Sequence, residues 1–126
     1  MLPVTHYLAF QDGQIIFEEG STDDSLYVVD YGAVELSKMA KGVKFVIEIL
    51  QPGYIFGEMA FLSRIPRTAT ARAVGETSVG IIDRALLDQE YQNLSEQFQT
   101  IIETLVLRLQ KTTDLLMNSK IDRIDS

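Results

Sequence analysis

The chain has 126 residues, 46% of them hydrophobic, which fits one globular domain with a core of its own. It has no cysteine, and this excludes disulfide scaffolds, iron–sulfur clusters and thiolate catalysis. Its net charge of −7 disfavours a nucleic-acid partner, because DNA binding needs an excess of lysine and arginine facing the phosphates.

The N-terminal residues lack the basic start and apolar run of a signal peptide, and no later stretch reaches the ~20 apolar residues that span a bilayer. We therefore expect a cytoplasmic protein without a membrane contact. His6, the single histidine, falls in this N-terminal arm and has no carboxylate cluster beside it. Neither a metal site nor a cofactor is expected.

Residues 7–84 predict short β-strands separated by turn residues. The clearest strands are rich in β-branched and aromatic residues and cover 14–18, 26–29, 34–37, 45–50, 70–74 and 78–82. Turn-forming pairs such as Asp23 with Asp24 and Tyr31 with Gly32 lie between them. Roughly eight short strands at this spacing indicate an antiparallel sandwich or barrel.

The composition changes after Asp83 to that of helices. Residues 84–91 favour a first helix, and Ser95 followed by Glu96 predicts the N-cap of a second, longer one. In that helix, apolar positions at steps of three and four form a heptad-like seam of Ile102, Leu105, Leu109, Thr112 and Leu116. The seam either packs on the chain's own barrel or joins two copies in a homodimer, and both interpretations stay open. Residues 120–126 are expected to be a frayed tail.

The segment 56–73 carries the chemistry, since it places one acidic residue, Glu58, among three arginines of an otherwise acidic chain. Gly57 lets the backbone approach a ligand, and the short helical turn after it offers free N–H groups to an anion. Arg67 adds a planar pair of donors for phosphate oxygens. A carboxylate beside a phosphate needs another task, such as accepting a hydrogen bond from a sugar hydroxyl. Glu58 and Arg67 together therefore indicate a nucleotide with one phosphate.

This segment resembles the phosphate-binding cassette of the cyclic-nucleotide-binding domain family, which includes catabolite activator proteins and protein kinase A regulatory subunits. The family pattern, Phe-Gly-Glu-x-Ala-Leu and then Pro-Arg-(Ala/Thr/Ser)-Ala, is matched at Phe56, Gly57, Glu58, Ala60, Leu62, Pro66, Arg67, Thr68 and Ala69. The resemblance covers residues 7–118. It implies an antiparallel β-roll (a double-stranded β-helix or jelly roll) of about eight strands over 1–84, followed by helices of the same domain over 85–119.

The resemblance also implies a ligand, cAMP or cGMP, and a set of residues that hold it. That set is Phe56, Gly57, Glu58, Met59, Ala60, Arg67, Thr68 and Ala69. Arg67 is expected to pair with the cyclic phosphate and Glu58 to take the ribose 2′-hydroxyl. The long helix is expected to cap the base, with Arg108, Lys111, Thr112 and Thr113 as candidates. The chain would then be a sensor, not an enzyme, that passes ligand binding on through its C-terminal helix.

A surface ion pair between Glu58 and Arg67 would account for both residues without a ligand. The alternative function is accordingly a nucleotide-free β-roll that associates with other proteins through its C-terminal helix. Arg64 and Arg72 are interpreted as solvated or structural, and the aspartates Asp23 and Asp24 as turn residues.

Overall fold

The computed structural model describes residues 2–63 and 65–125 and shows a mainly β domain with helices at its C-terminal end. The strands are β1 (Val4–Phe10), β2 (Ile15–Phe17), β3 (Tyr27–Ala40), β4 (Val43–Leu50), β5 (Ile55–Phe56) and β6 (Thr70–Ile82). The helices are α1 (Glu58–Ser63), α2 (Arg84–Gln92) and α3 (Glu96–Asp125). No helix among the described residues is long and apolar enough to cross a membrane.

All strand pairs in the sheet are antiparallel, as expected from the sequence. The main path of the sheet is β1–β6–β3–β4, with β2 added to β6 and β5 added to β3. The long strands β3 and β6 therefore form the centre, while β1 and β4 lie at the two edges. This topology brings β2, the end of β5 and the start of β6 to one end of the roll.

The described residues contain six strands, fewer than the eight or so that the turn signals suggested. Each long central strand joins two of the predicted short ones, because the chain passes the expected break at Tyr31 and Gly32 as an irregularity with shifted register. Gly32 has a left-handed φ of 82°, and a Cβ there would lie only 2.5 Å from the hydroxyl oxygen of Thr77. The turn signal was thus correct about backbone conformation and wrong about strand ends.

The prediction of an N-terminal arm around His6 was also wrong. His6 lies inside β1 and is aligned with Ile81 of β6. The arm is a strand because β6 offers it a free edge, and pairing satisfies backbone groups that a short local sequence cannot satisfy alone.

Side-chain caps begin both C-terminal helices. The carboxylate of Asp83 accepts a hydrogen bond from the N–H of Leu86, and the hydroxyl of Ser95 accepts one from the N–H of Phe98, as predicted for the second helix. Helix α3 then continues to Asp125. The tail predicted over 120–126 is thus helical as far as Asp125, because no glycine or proline ends the helix earlier.

Three aromatic rings at the centre of the core pack together at the end of the roll that carries the segment 56–73. Phe17, Tyr27 and Phe56 come from three strands and are buried, with ring centroids 5.2–5.9 Å apart. Such ring pairs contribute about 0.5–1.5 kcal/mol each beyond the area that they bury. They fix the strand ends from which the segment 56–73 departs and returns.

Candidate functional site

An open pocket lies between α1, the start of β6 and the strands β2 and β3. Its walls include every residue of the predicted ligand set except Phe56, which is buried in the core beneath. Phe17 and Leu36 complete the lining. These two could not be predicted as site residues, because an aromatic residue and a leucine in β-strands look like ordinary core residues.

Gly57 is required at the pocket wall by the side chain that passes over it. Its φ is 85°, and a Cβ built there would lie 2.6 Å from Nη1 of Arg67 and 3.0 Å from the carbonyl oxygen of Ser25. A residue with a side chain would be strained here by the backbone conformation, and its Cβ would also lack space. The glycine therefore allows the close approach of the backbone that the sequence predicted, with the arginine as the group that comes close.

Arg67 is 3% exposed and its guanidinium is held on several sides. Nη1 donates to the carbonyl of Gly57 at 3.1 Å, and Nη2 donates to the carbonyl of Ser25 at 2.7 Å and to Oδ2 of Asp23 at 3.0 Å. Its plane lies 4.0 Å from the ring centroid of Phe17. Buried Nε has no hydrogen-bond partner within the part of the chain that the structure describes. One charged donor is therefore left for a ligand.

The ion-pair partner of Arg67 is Asp23, so the alternative explanation by a surface pair between Glu58 and Arg67 does not hold. Burial alone would raise the pKa of Asp23, but the hydrogen bond and charge of Arg67, with the N–H of Ser25, hold it below its ordinary value of 3.8. The hydroxyl of Tyr27 also donates to Asp23, at 3.1 Å. The turn interpretation of Asp23 was incomplete, because the same side chain that closes the turn also neutralises the buried arginine.

Glu58 begins α1 and turns a half-buried carboxylate towards the pocket. Burial raises the pKa of Glu58 above 4.5, and the nearby negative charge of Glu48 raises it further, while Arg67 acts in the opposite direction. A carboxylate that is poorly solvated and lacks a cation in direct contact gains from any hydroxyl that donates to it.

A second arginine connects this region to the helices. Arg84, the first residue of α2, forms an ion pair with Asp24 at 2.6 Å and one with Asp88 at 3.5 Å. Its guanidinium also lies 4.8 Å from the ring centroid of Phe61 in α1. Asp23 and Asp24 thus hold Arg67 and Arg84 respectively, a link that the sequence did not reveal because the partners are 44 and 60 residues apart.

The candidates for capping the base lie elsewhere. Arg108 and Lys111 line a separate depression along α3, and the hydroxyl of Thr112 donates to the carbonyl of Arg108 within the same helix. They do not line the pocket, and the element against which α3 packs is α1. The side chains of Leu62 and Thr113, and all of Arg64, lie outside the described residues. Arg72 donates to the carbonyl of Gly13 at 2.8 Å, which confirms its structural interpretation.

Known proteins contain the same domain. The family model described as the cyclic nucleotide-binding domain matches residues 7–93. The chain therefore belongs to the cyclic nucleotide-binding domain family.

Its relatives are larger proteins. The chain is 29% identical over 108 residues to a CRP-like cAMP-activated global transcriptional regulator of Mycobacterium tuberculosis, covering 85% of this chain and 48% of the regulator. It is 32% identical over 76 residues to a cAMP-dependent protein kinase regulatory subunit of Eremothecium gossypii, covering 60% of this chain and 16% of the subunit. The cAMP-bound form of the EAL enzyme Bd1971 has a TM-score of 0.82 at 26% identity, covering 95% of this chain and 31% of the enzyme. This chain spans half or less of each.

Replacing Glu58 by Gln should stabilise the protein in the absence of ligand. Because the pKa of Glu58 is raised on folding, its ionisation destabilises the native state as the pH rises through that pKa. The variant should match the original protein in acid and exceed it at neutral pH by up to about 1 kcal/mol. Urea unfolding at a series of pH values measures this, with Glu90→Gln, an exposed position of α2, as the control. A variant less stable than the original at neutral pH would contradict the assigned electrostatics.

Proposed function

We propose that the chain binds a cyclic purine nucleotide, cAMP or cGMP, in the pocket lined by α1 and the start of β6, and serves as a sensor that catalyses nothing. The observation that carries this proposal is the buried guanidinium of Arg67 with one unpaired donor, Nε, beside the acceptor carboxylate of Glu58. A cationic donor suits an anionic phosphate, and a raised carboxylate suits a ribose hydroxyl. Membership of the family and the cAMP-bound structural neighbour support the same ligand class.

The geometry favours a single phosphate group over a polyphosphate. Among the residues that line the pocket, Arg67 is the one cation, and Asp23 already neutralises it in part. A chain of phosphates would bring more negative charge than this pocket can balance. A cyclic monophosphate carries one charge and presents its sugar hydroxyl close by, where Glu58 can accept it.

The first test is the affinity of the protein and of an Arg67→Lys variant for cAMP and cGMP, measured by isothermal titration. Lysine keeps the charge opposite Asp23 but loses the planar Nε donor. Affinity should therefore fall at least tenfold, and about 100-fold or more in Arg67→Ala, where the positive charge is lost together with the Nε donor. Arg72→Lys, the same change at an arginine outside the pocket, should bind like the original protein.

Equal affinity in a folded Arg67→Lys and Arg67→Ala protein would remove the phosphate assignment. The absence of binding by the original, nucleotide-free protein would favour the alternative function, a β-roll that only associates with other proteins. One observation agrees with that alternative: Arg67 already satisfies most of its donors within the protein.

We also propose that the ligand signal reaches the C-terminal helices through Asp24 and Arg84. A ligand on Arg67 changes the balance of charge around Asp23, and Asp24 is the next residue along the same loop. Because Arg84 joins Asp24 to α2 and touches Phe61 of α1, a shift of this loop or of α1 changes the contacts of α2 directly. Such a shift needs different contact energies in the free and bound states, which these charge pairs provide.

Hydrogen exchange with and without cAMP tests this route. In the original protein the ligand should change amide protection in α2 and α3 as well as in α1. Arg84→Gln should bind cAMP within about tenfold of the original affinity, since it loses partly exposed ion pairs, yet lose most of the change in α2 and α3. Arg108→Gln, an exposed arginine of α3, is the matched control. An unchanged response of α3 in Arg84→Gln would sink the proposed route.

A second copy of the chain is the proposed partner of the exposed seam on α3. The side of the helix that carries Gln99, Glu103 and Val106 faces its own domain. The other side leaves large apolar side chains exposed, among them Phe98, Ile101, Leu105 and Leu116. Their helical spacing complements an identical helix, and the seam from Phe98 to Leu116 gives a contact line of about 27 Å.

Light scattering after gel filtration tests the dimer with two matched variants. Leu105 and Leu107 are exposed to 57% and 61%, but they lie on different sides of α3, about 160° apart. Leu105→Glu should weaken the dimer at least 100-fold, because each copy would bury an unpaired carboxylate in the seam. Leu107→Glu should leave it intact. A monomeric original protein, or equal effects of both variants, would rule out the seam.

A further inference from the structure

Four side chains lie in one row across the sheet at the bottom of the pocket. Ala71 of β6 is aligned with Phe17 of β2 on one side and with Leu36 of β3 on the other. Leu36 is aligned in turn with Glu48 of β4. Residues directly opposite in antiparallel strands point to the same face, with Cβ atoms about 4.5–5.5 Å apart. Because Phe17 and Leu36 line the pocket, Glu48 points to the same side, at the edge of the sheet.

This row gives the pocket a direction. The guanidinium of Arg67 lies on the ring of Phe17, at one end. Glu48 lies at the other end of the row, three strand spacings or about 14 Å from Phe17, beyond the residues that line the pocket. Glu58 lines the pocket, and the charges of both Glu48 and Arg67 act on the pKa of its carboxylate. This direction thus has Arg67 as a buried cation at one end, Glu58 as a half-buried acceptor and Glu48 as an exposed acceptor at the other end. Leu36 supplies the apolar surface next to Glu48.

We infer that Glu48 determines base specificity by accepting a hydrogen bond from an N–H donor on the purine edge. The inference rests on the proposed function, which places the phosphate at Arg67 and the ribose at Glu58. The base must then extend from the ribose along the remaining direction of the row. It lies on Leu36, whose apolar side chain suits the face of a purine, and its outer edge reaches the carboxylate.

The chemistry of Glu48 selects donors and rejects acceptors. An ionised carboxylate only accepts hydrogen bonds, so it repels a bare ring nitrogen or a carbonyl oxygen. Adenine offers the 6-amino group, whereas guanine offers the ring N1–H and the 2-amino group. The donor that the inference concerns is therefore an exocyclic amino group, at position 6 in adenine and at position 2 in guanine.

Ligands that lack one donor each separate these two sources. We would titrate the protein with cAMP and with the cyclic monophosphate of unsubstituted purine riboside, which lacks the 6-amino group. A second pair is cGMP and the cyclic monophosphate of inosine, which lacks the 2-amino group. Loss of the donor that Glu48 reads should weaken binding about tenfold to 100-fold. Each pair keeps the same cyclic phosphate, so repulsion between phosphate and carboxylate cancels in the ratio.

The Glu48→Ala variant is the decisive partner in these titrations. At least one pair should show the large affinity ratio with the original protein and a ratio near one with Glu48→Ala. Glu90→Ala removes an exposed acidic residue of α2 and should keep the original ratios. If cyclic nucleotides bind but no ratio changes in Glu48→Ala, this inference is wrong while the proposed function stands. If the original protein binds neither cAMP nor cGMP, both are wrong.

Discussion

The buried guanidinium of Arg67 is the interaction on which the rest of the pocket depends. A buried charge is tolerated only when its hydrogen bonds are made, and here the partners come from widely separated parts of the chain. Asp23 and Ser25 precede β3, Phe17 lies in β2, and Gly57 stands before α1. One side chain thus gathers the loops at this end of the roll. At the pocket wall Gly57 leaves room for the guanidinium of Arg67, and any residue with a Cβ would not.

The charge of Arg67 also organises what surrounds the pocket. Asp23 compensates the arginine, and its neighbour Asp24 compensates Arg84 at the start of α2. Two adjacent aspartates therefore tie the pocket to the helices through a single loop. Glu58, in contrast, has no ion-pair partner among the described residues, and burial leaves its carboxylate poorly solvated in the absence of ligand. The poorly solvated carboxylate of Glu58 and the unpaired Nε of Arg67 both lower the stability of the ligand-free protein, and a ligand that pairs with them would restore it.

The sequence predicted those parts of the site that are contiguous along the chain. The segment 56–73 supplies most of the pocket lining, so its motif was legible without a structure. Phe17, Leu36 and Asp23 could not be found in this way, since strand register brings them there and their residue types are common in strands and turns. The capping candidates on α3 are not among the residues that line the pocket, and the reason is a different one. A helical repeat shows which residues share a face, but the rotation of the helix against the roll decides which face meets the pocket.

Helix α3 buries few of its described side chains, which suits the proposed transmission of a ligand signal. Among its described residues Val106 is the one that is buried, while a series of large apolar side chains stays exposed. A helix that buries so little against its own domain is held by few kcal/mol, since burial of a valine-sized side chain contributes about 1.5–3 kcal/mol. Ion pairs of the size formed by Arg84 are comparable with that energy. In the proposed mechanism the position of α3 is therefore the equilibrium that the charges around Asp23 and Asp24 shift, whereas the sheet cannot move without breaking its core.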